Sequence, residues 1–489
     1  MATRKPHLFI GGAWVESQGS AEPLHVVDPA TEEIIAEVVR ADRKDTVRAI
    51  EAARTAFDEG PWPRLRPRER AATLLRMAEI IERRKAEFVD LLIREAGSPR
   101  AMAEPVQFGI CLEHFVDLAE RVVSKFEPIR GIPPVVGQGV GQGVVMDEPA
   151  GVASLITAFN FPHHLNLMKL GPALGAGCTT VLKPSELTPL VSLLLGEVAE
   201  EAGLPPGVLN IVPGDAEAGA EMTTHPAVDL VSFTGSSAVG KSISRQAADT
   251  VKRVVLELGG KSAGIVFADA DLDAAAQNVV MNMTLHSGQA CVLNTRTLVE
   301  SSVHDELVER VIGILAAIKV GDPSDESTMM GPLISARQRD RVEGYIRSGI
   351  EQGGHIAVGG GRPEGLDKGF YIEPTLFTGC SNDMTIAQEE IFGPVGTVIP
   401  FRDQDEAVRL ANDTRYGLGA GVWTRDPLKA YEVAQRMRAG AVMVNGGPAG
   451  NNTFGPYGGY KESGLGREFG EFGFSEYLES KSIAWPAIV

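Results

Sequence analysis

The chain has 489 residues, 44% of them hydrophobic, and its 46 basic and 64 acidic side chains leave a net charge of −18. This length fits two or three domains of the usual size, about 100 to 200 residues each. The acidic balance disfavours nucleic acids and anionic membranes as partners, because both carry negative charge.

The N-terminal residues and the cysteines indicate the compartment. The basic residues 1–5 run into Pro6 and His7 rather than into a long apolar core, and no stretch reaches the ~18 uninterrupted apolar residues of a membrane helix. Four cysteines lie far apart without paired spacing, which favours a reducing compartment over a disulfide framework or a zinc site. They are Cys111, Cys178, Cys291 and Cys380. We therefore expect a cytoplasmic protein with no export signal and no metal site.

The first strong periodicity predicts a helix over residues 71–96. Apolar side chains recur at intervals of three and four, among them Leu74, Ala78 and Ile81, between charges such as Arg76. This spacing gives a helix one buried face and one solvated face.

A short glycine repeat follows at residues 136–144, with the sequence Val-Gly-Gln-Gly-Val-Gly-Gln-Gly-Val. Its period of two would place all four glycines on one face of a strand, because side chains alternate between the two faces. We interpret the segment as a β-ribbon with close backbone approach rather than as a dinucleotide-binding loop. The glycines are Gly137, Gly139, Gly141 and Gly143.

From residue 151 onwards, predicted strands and helices alternate. The strands cover residues 152–157, 179–182, 208–212 and 230–233, and two of the helices between and after them cover residues 187–202 and 237–248. This alternation predicts a parallel sheet with crossover helices and a ligand site beyond the carboxyl ends of its strands. A second pattern of the same kind, over residues 263–449, predicts a second α/β domain.

Two short segments contain a candidate base and a candidate nucleophile. Glu257 opens the run Glu-Leu-Gly-Gly-Lys-Ser, and Cys291 closes the run Gly-Gln-Ala-Cys after a helix predicted over residues 274–286. A thiolate is a strong nucleophile toward carbonyl carbon, and a glutamate followed by two glycines has room to move. Taken alone, each residue has a plainer interpretation, because most free cysteines are buried packing residues and a strand-end glutamate is commonly a solvated charge.

Together, these two runs resemble the two signature segments of the aldehyde dehydrogenase superfamily. Further matching segments occur along almost the whole chain, in the family's order and at about its spacing. They are Phe-Ile-Gly-Gly at 9–12, Asp-Pro-Ala-Thr at 28–31, Phe-Asn-Phe-Pro at 159–162, Lys-Pro-Ser-Glu at 183–186, Phe-Thr-Gly-Ser at 233–236, Glu-Ile-Phe-Gly-Pro at 390–394 and Pro-Tyr-Gly-Gly-Tyr-Lys-Glu-Ser-Gly at 456–464. Their joint occurrence outweighs the plainer interpretation of each single residue.

The resemblance implies an α/β fold in three parts. Residues 1–126 and 150–259 would form a Rossmann-like, parallel-sheet cofactor domain, and residues 260–461 a second α/β catalytic domain. Residues 127–149 and 462–489 would form a β-ribbon oligomerisation segment, which in the family reaches into a partner subunit. We therefore expect a homodimer or a homotetramer.

The resemblance also implies a reaction, in which an aldehyde is oxidised to its carboxylic acid with hydride transfer to NAD through a thiohemiacetal and a thioester on Cys291. Asn160 and the Cys291 backbone N–H would bind the oxyanion, and Glu257 would act as the base. The glutamate favours hydrolysis over transfer to coenzyme A, because the relatives that use coenzyme A lack it. Lys169 and Glu468 match positions that relay protons in the family. The plainer interpretation of these two residues is a surface salt bridge.

For the cofactor, the resemblance assigns Lys183 and Glu186 to the adenosine ribose and Glu390 and Phe392 to the nicotinamide ribose. A carboxylate at 186 accepts ribose hydroxyls and repels a 2′-phosphate, so we expect NAD; NADP remains an alternative, since Lys183 can meet a phosphate. Gly240 would let the helix after the pyrophosphate turn pack closely. The other residues expected at the cofactor are Phe159, Ser185, Gly235, Ser236 and Leu258.

The matched segments also indicate a mainly apolar substrate pocket. Its residues would be Phe161, Leu165, Met168, Val292, Asn451 and Tyr457. No arginine falls at these positions to bind a second carboxylate, so we expect a neutral aliphatic or aromatic aldehyde rather than the semialdehyde of a diacid. Where the family often has Pro-Trp before the asparagine, this chain has Ala158 and Phe159, which leaves the shape of the adjacent pocket open.

Two other enzyme classes remain open on the sequence. Residues 235–242 match the phosphate-loop pattern, with a strand before and a helix after, and Asp269 at a strand end would supply the magnesium carboxylate of a nucleoside triphosphatase. A cysteine hydrolase would combine Cys291 with His286 and Asn160, although a helix through His286 would turn the two side chains apart.

Overall fold

Strands and helices alternate along most of the chain, as the sequence predicts. The computed structural model describes residues 7–19, 22–136, 140–447 and 452–486. The strands are β1 (Leu8–Ile10), β2 (Ala13–Val15), β3 (Leu24–Val27), β4 (Ile34–Val38), β5 (Ile129–Val136), β6 (Val140–Pro149), β7 (Val152–Ile156), β8 (Thr179–Lys183), β9 (Leu209–Ile211), β10 (Leu230–Thr234), β11 (Arg253–Glu257), β12 (Ala263–Val266), β13 (Arg296–Glu300), β14 (His355–Val358), β15 (Thr375–Thr378), β16 (Val395–Phe401), β17 (Gly419–Trp423), β18 (Ala441–Val444), β19 (Gly464–Leu465) and β20 (Leu478–Pro486).

Many of the helices begin at a side chain that accepts a hydrogen bond from the first turn, which satisfies an otherwise unpaired N–H. Asp42, Ser236, Asp271 and Asp403 are such N-caps. The α-helices are α1 (Arg43–Asp58), α2 (Pro67–Arg83), α3 (Lys85–Ala96), α4 (Arg100–Met102), α5 (Cys111–Asp117), α6 (Pro162–Ala176), α7 (Leu190–Glu201), α8 (Ala216–Thr224), α9 (Ser237–Ala248), α10 (Leu272–Thr284), α11 (His304–Leu315), α12 (Ala336–Glu351), α13 (Thr385–Gln388), α14 (Gln404–Asn412), α15 (Pro427–Arg436) and α16 (Gly470–Ser475). Ala103–Ile110 and Leu118–Val123 are π-helical, and short 3₁₀ turns lie at Trp62–Arg64, Leu285–Gly288, Ser301–Val303 and Lys461–Ser463.

The first large sheet of the described residues has the strand order β19-β11-β10-β7-β8-β9-β1-β2. Strands β7 to β11 run parallel, and antiparallel strands form both edges. Strands β7, β8 and β10 are buried at every residue. This is expected of parallel strands covered by helices on both faces. Separate apolar cores, one around α2, α3, α6 and α7 and one around α1 and α9, fill the two faces.

The second large sheet has the order β14-β15-β16-β13-β12-β17-β18 and is parallel except for β14. It also separates two apolar cores. Residues 258–262 lead directly from β11 of the first sheet to β12 of the second. The predicted α/β fold with two parallel-sheet layers is therefore confirmed.

The third sheet is an antiparallel ribbon with the order β20-β6-β5. Gly143 lies on β6, and a Cβ there would come within 2.8 Å of the Ile483 carbonyl oxygen, which matches the predicted close backbone approach. Gly137 and Gly139 lie outside the described residues, so their place on a common strand face stays a prediction. The ribbon exposes large apolar side chains at Ile129, Ile132, Val135, Ile483 and Trp485.

The helix predicted over residues 71–96 is wrong at one position. It divides into α2 and α3 at Arg84, whose φ of −97° and ψ of 16° leave the helical region. Its guanidinium binds Glu87 and Glu197, contacts that residue periodicity does not reveal. By contrast, α9 has the predicted bounds. Among the described helices, none combines the length and the apolar character that crossing a bilayer requires.

Candidate active site

Glu257 and Cys291 lie on loops that touch each other. Glu257 is the last residue of β11, and the chain then turns at Gly259 and Gly260 toward β12. A Cβ at Gly260 would lie 2.3 Å from the Cys291 carbonyl oxygen, so only glycine permits this contact. The structure therefore brings the candidate base and the candidate nucleophile together from two different sheets.

A sharp turn, not a helix, presents Cys291. Helix α10 ends at Thr284, and His286 and Ser287 have positive φ values of 47° and 56°. The prediction of a helix through His286 is therefore wrong. Tertiary hydrogen bonds hold the turn, since Ser287 Oγ donates to the Gly331 carbonyl at 2.7 Å and Gln289 Oε1 accepts from the Ile334 N–H at 3.0 Å. These long-range contacts stabilise a conformation that local sequence disfavours.

Cys291 is partly exposed as a residue, and its thiol has one polar side-chain contact among the described residues. Its Sγ lies 3.5 Å from Tyr457 Oη. Desolvation is the main reason that the pKa of the thiol is raised to about 12; the Tyr457 contact lowers it, and the charges of Glu390 and Glu257 add to the rise. The thiol thus needs hydrogen-bond donors and a proton acceptor to become a thiolate at neutral pH.

Asn160 is 4% exposed and lies between β7 and α6, at the carboxyl edge of the first sheet. Its Nδ2 donates to the Gln289 carbonyl at 2.8 Å, two residues before Cys291. The Asn160 amide is therefore fixed beside Cys291. Asn160 follows a strand of the first sheet, whereas Cys291 precedes a strand of the second sheet. An amide N–H in this place can stabilise negative charge that develops on a carbonyl bound to Cys291.

Glu257 is 2% exposed, and neither carboxylate oxygen has a hydrogen-bond partner among the described residues. Burial raises the pKa of Glu257 well above its usual value, Glu468 raises it further, and Lys169 opposes the shift. A buried carboxyl of raised pKa without a partner is a feature of catalytic bases, because a purely structural carboxylate is normally paired.

Lys169 and Glu468 form a buried ion pair beside Glu257. Lys169 Nζ donates to Glu468 Oε1 at 2.6 Å and to Ser232 Oγ at 3.0 Å, and the side chains are 0% and 5% exposed. The alternative of a surface salt bridge is therefore wrong. Glu468 Oε2 has no hydrogen-bond partner among the described residues. The pair is placed to act electrostatically on Glu257.

The turn at Gly235 and Ser236 follows the carboxyl end of β10 and leads into α9. Ser236 caps the helix. A Cβ at Gly240 would lie 2.6 Å from the Leu258 side chain, so glycine lets α9 approach the chain that follows β11. This close packing leaves a helix N-terminus at the sheet edge, where an anionic phosphate is favoured.

The same segment lacks the partners of a phosphate loop. Lys241 forms an ion pair with Glu462 at 2.8 Å. Asp269 follows β12 in the other sheet, where it accepts hydrogen bonds from Thr424 and Lys429. The nucleoside triphosphatase interpretation is therefore not supported, because its lysine and its carboxylate are engaged in two different places.

Glu390 and Phe392 lie across the site from α9. Glu390 Oε1 accepts a hydrogen bond from the Gly260 N–H at 3.0 Å, and burial raises its pKa to about 7. Phe392 has a φ of 60°, and its ring meets that of Phe159 edge to face at 5.7 Å. Gly260, Glu390 and Phe392 line a small cavity that also borders Ala290.

Lys183 and Glu186 follow the carboxyl end of β8. Lys183 is buried, which lowers its pKa, and its Nζ donates to the carbonyls of Gly214 and Pro184. Ser185 is half-buried and its Oγ accepts from the Leu187 N–H, whereas Glu186 is exposed. The carboxyl end of β8 therefore carries the exposed carboxylate of Glu186 and the buried amine of Lys183.

A second cleft opens between α5, α6 and the residues around Phe469. Its lining is apolar and aromatic, and none of the described lining residues is Asp, Glu, Lys or Arg. The rings continue inward, because Phe469 lies 5.1 Å from His114 and 5.1 Å from Tyr457, centre to centre. The lining residues are Cys111, His114, Phe115, Leu118, His164, Leu167, Met168, Pro172, Thr453, Phe469, Gly470, Gly473 and Phe474.

Of the predicted substrate-pocket residues that the structure describes, only Met168 lines this cleft. Phe161 meets a cleft residue, His164, edge to face at 6.5 Å, and Leu165 is buried at the first turn of α6. Val292 packs beside Gly419, where a Cβ would meet Val292 Cγ2 at 2.8 Å. Asn451 lies outside the described residues.

Sequence reasoning missed His114 and Phe469 as cleft residues. His114 lies far from every matched segment and gives no signal in a single sequence, whereas Phe469 follows Glu468 directly and could have been inferred from that neighbour. Of the two adjacent histidines on α6, His163 packs between the rings of Phe88 and Phe108, and His164 faces the cleft.

The cysteine hydrolase interpretation also finds no support. The His286 ring packs edge to face on Phe161 at 5.5 Å, and neither of its nitrogens has a hydrogen-bond partner among the described residues. Burial lowers the pKa of His286 to about 4. A base in such a hydrolase would hydrogen-bond to the thiol.

Comparison with known proteins extends these observations. A family model described as the aldehyde dehydrogenase family matches residues 14–483. A putative aldehyde dehydrogenase of Staphylococcus saprophyticus is 41% identical over 97% of this chain and 98% of its own length. The crystal structure of a Mycobacterium tuberculosis aldehyde dehydrogenase complexed with NAD+ is 44% identical, with a TM-score of 0.94 over 99% of both chains. A betaine aldehyde dehydrogenase from Staphylococcus aureus, in complex with NAD+, is 36% identical, with a TM-score of 0.95 over 98% of this chain and 95% of that one.

Proposed function

The chain belongs to the aldehyde dehydrogenase family, and we propose that it oxidises a neutral, apolar aldehyde to the carboxylic acid, with NAD as hydride acceptor and Cys291 as nucleophile. The observation that carries this assignment is the convergence of Cys291, Asn160 and Glu257 at the edge between the two sheets. These residues supply a thiol, an amide donor and a buried carboxylate that has no hydrogen-bond partner among the described residues.

The first chemical step is addition of the Cys291 sulfur to the aldehyde carbon. The S–C bond forms as the carbonyl π pair moves to the oxygen, which becomes negatively charged. The Asn160 amide supports this step, because the Gln289 carbonyl already fixes it beside Cys291. A preorganised donor of this kind stabilises an oxyanion more than it stabilises a neutral carbonyl.

Loss of hydride from this adduct to bound NAD would leave a thioester on Cys291. Hydrolysis of that thioester needs a base, and Glu257 is the residue we assign to it. Burial raises its pKa, which makes the ionised carboxylate a stronger base than an exposed glutamate. The Lys169–Glu468 pair supports the assignment as a relay, since Glu468 acts on the Glu257 carboxyl and has one oxygen without a partner among the described residues. Glu257 would take the water proton and pass it toward Glu468.

The cofactor fits the edge where α9, Lys183 and Glu390 converge. NAD, when bound, supplies the nicotinamide that accepts hydride from the substrate carbon. The N-terminus of α9 at Gly235 and Ser236 would hold the pyrophosphate, and Lys183 with Glu186 the adenosine ribose. Glu390 and Phe392 would hold the nicotinamide ribose at the cavity beside Ala290. Phe159, Ser185 and Leu258 would complete this set, and the exposed Glu186 supports NAD over NADP.

The uncharged cleft supports a neutral substrate. None of the described residues that line it is Asp, Glu, Lys or Arg. Burial lowers the pKa of His164 to about 3, so that imidazole stays neutral at physiological pH. We therefore place aliphatic and aromatic aldehydes ahead of semialdehydes of diacids. Phe161, Leu165, Val292 and Asn451 remain proposed pocket residues by their position in the matched segments.

The assembly and its location are further parts of the proposal. The exposed apolar side chains of the ribbon support a homodimer or homotetramer built through residues 127–149 and 462–489. Residues 1–126 and 150–259 would be the cofactor domain and residues 260–461 the catalytic domain. All four cysteines are free thiols, which supports a reducing cytoplasm.

A substrate screen tests the proposal. Purified protein is assayed with NAD and with acetaldehyde, hexanal, benzaldehyde, succinate semialdehyde and betaine aldehyde, and NADH formation is followed by absorbance. We expect the highest kcat/KM with hexanal or benzaldehyde. Turnover only with succinate semialdehyde or betaine aldehyde would contradict the neutral-substrate assignment, and no NADH with any of the five would contradict the proposed function.

A further inference from the structure

Tyr457 Oη lies 3.5 Å from Cys291 Sγ, at hydrogen-bonding distance for sulfur. We propose that Tyr457 is a further catalytic residue, whose hydroxyl donates a hydrogen bond to Cys291 Sγ and stabilises the thiolate that attacks the aldehyde. The inference rests on the proposed role of Cys291 as nucleophile. It gives Tyr457 a chemical task beyond that of lining the substrate pocket.

The backbone and a neighbouring ring hold Tyr457 in this orientation. Its N–H donates to the Glu468 carbonyl at 2.9 Å, its carbonyl accepts from the Glu468 N–H at 2.6 Å, and its ring packs against Phe469. A Cβ at Gly458 would lie 2.7 Å from Glu257 Oε1, so the segment passes directly beside the base. Among the described residues, Cys291 is the only hydrogen-bond partner of the phenol oxygen.

The charges around the thiol explain why a donor is needed. Glu257 and Glu390 both disfavour a negative charge on Cys291, and Lys169, whose charge acts on the neighbouring Glu257, is paired with Glu468. Burial raises the pKa of Tyr457 well above its usual value, and the charges of Cys291, Glu257 and Glu468 act in the same direction. The phenol therefore stays protonated through neutral pH and remains a donor.

The step balances without any added reactant. The S–H proton leaves to solvent water at the partly exposed Cys291, the Tyr457 O–H keeps its own proton, and the hydrogen bond to sulfur shortens as the thiolate forms. When the S–C bond has formed, the sulfur is neutral and the phenol contact weakens. Tyr457 thus acts before and during addition, whereas Asn160 acts on the oxygen after addition begins.

The test compares Tyr457→Phe with Tyr371→Phe, a substitution at another buried tyrosine. The rate of iodoacetamide labelling at Cys291 is measured against pH by peptide mass spectrometry, alongside kcat, KM and the thermal midpoint of unfolding. A hydrogen bond to an ion is worth about one pKa unit or more. We expect Tyr457→Phe to slow labelling about 10-fold at neutral pH and to shift its pH profile upward, with kcat lowered more than KM is raised.

A site-specific 3-fluorotyrosine at 457 gives a second variant, whose more acidic phenol is a stronger donor. We expect its labelling profile to shift to lower pH, the opposite direction from Tyr457→Phe, and Tyr371→Phe to match the unmodified protein. A labelling profile unchanged in both Tyr457 variants would overturn the inference, as would an effect confined to KM. If instead Cys291→Ala still turns over, the proposed function fails, and that result does not depend on Tyr457.

Discussion

Tyr457 and Glu468 face each other across an isolated antiparallel bridge, with N···O distances of 2.9 and 2.6 Å between their backbones. The bridge places the Tyr457 hydroxyl against Cys291 and the Glu468 carboxylate against Lys169. One short backbone contact therefore positions a group that acts on the thiol and a group that acts on the base Glu257. Attack by the thiol and hydrolysis of the thioester therefore both depend on the Tyr457–Glu468 backbone bridge.

Replacing the nucleophile gives the first prediction. Cys291→Ala should abolish dehydrogenase turnover, because no other group can form the thioester, while NAD binding measured by calorimetry stays within about 2-fold of the unmodified protein. Cys380→Ala is the matched control and should keep most activity, since that thiol is buried in the apolar core of the second sheet. Substantial turnover in Cys291→Ala would refute the assignment.

Asn160→Ala should slow the first turnover by about 100- to 1,000-fold, the usual loss for one oxyanion donor. The amide acts only once negative charge develops, so the affinity for NAD should not change. Rapid-mixing absorbance of NADH within one turnover measures the rate. A first turnover at the normal rate would remove Asn160 from the oxyanion site and leave only its hydrogen bond to the Gln289 carbonyl.

Glu257→Gln should separate the two chemical halves. We expect one equivalent of NADH per active site in a rapid burst and then a stall as acyl-enzyme, because glutamine cannot accept a proton from water. Mass spectrometry of the trapped protein should find the acyl group on Cys291. Glu471→Gln, at an exposed glutamate, is the control. Absence of both burst and acyl adduct would mean that Glu257 is needed to activate the thiol instead.

The raised pKa of Glu257 also fixes the direction of a pH effect. The base must be ionised, and an acid of raised pKa is ionised only above that pKa. Deacylation should therefore accelerate as pH rises through the pKa of Glu257 and fail below it. The dependence is measured as the steady-state rate after the burst, and it should disappear in Glu257→Gln.

Cofactor choice should respond to Glu186. Glu186→Ser should weaken NAD and narrow the preference over NADP, since a carboxylate that faces a 2′-phosphate is repulsive and its loss removes that repulsion. The ratio of kcat/KM for the two cofactors is the measurement. Glu364→Ser, at an exposed position in the second half of the chain, should leave the ratio unchanged. An unmodified protein that already prefers NADP would contradict the assignment.

Gly240→Ala tests the packing of α9. The added Cβ would lie 2.6 Å from the Leu258 side chain, so the helix must move outward. We expect a loss of about 1–3 kcal/mol in the free energy of unfolding and weaker NAD binding. Gly313→Ala, in α11 with nothing within 4 Å of the new Cβ, should be neutral or slightly stabilising. Equal stability and equal NAD affinity in both variants would show that the contact with Leu258 is easily relieved.

The alternation of strands and helices was predictable because each crossover unit has a local signature. Helix α9 has the predicted bounds, since Ser236 caps its start. The turn at His286 and Ser287 was not predictable, because their positive φ is imposed by the hydrogen bonds from Ser287 to Gly331 and from Ile334 to Gln289. Such contacts join segments more than forty residues apart in sequence.

The matched segments identify the candidate residues of the site, but they do not predict how deeply those residues are buried or which side chains contact them. Lys169 could be a surface residue on its sequence alone, and only the packing of α6 against the C-terminal segment buries it with Glu468. The cleft residue His114 belongs to α5, which no motif connects with the site. Burial and neighbourhood depend on contacts between distant elements, which a single sequence does not encode locally.

The passage from β11 to β12 through residues 258–262 constrains how this chain can be engineered. Because Glu257 begins the passage and Gly260 touches Cys291, an inserted residue here would separate the base from the nucleophile. The exposed glycines at 353 and 365, where a Cβ meets nothing within 4 Å, offer far safer points for tags or fused modules. For the same reason, halves of the chain divided at this passage could not be exchanged with those of a relative unless the five linking residues and the Cys291 turn were transferred together.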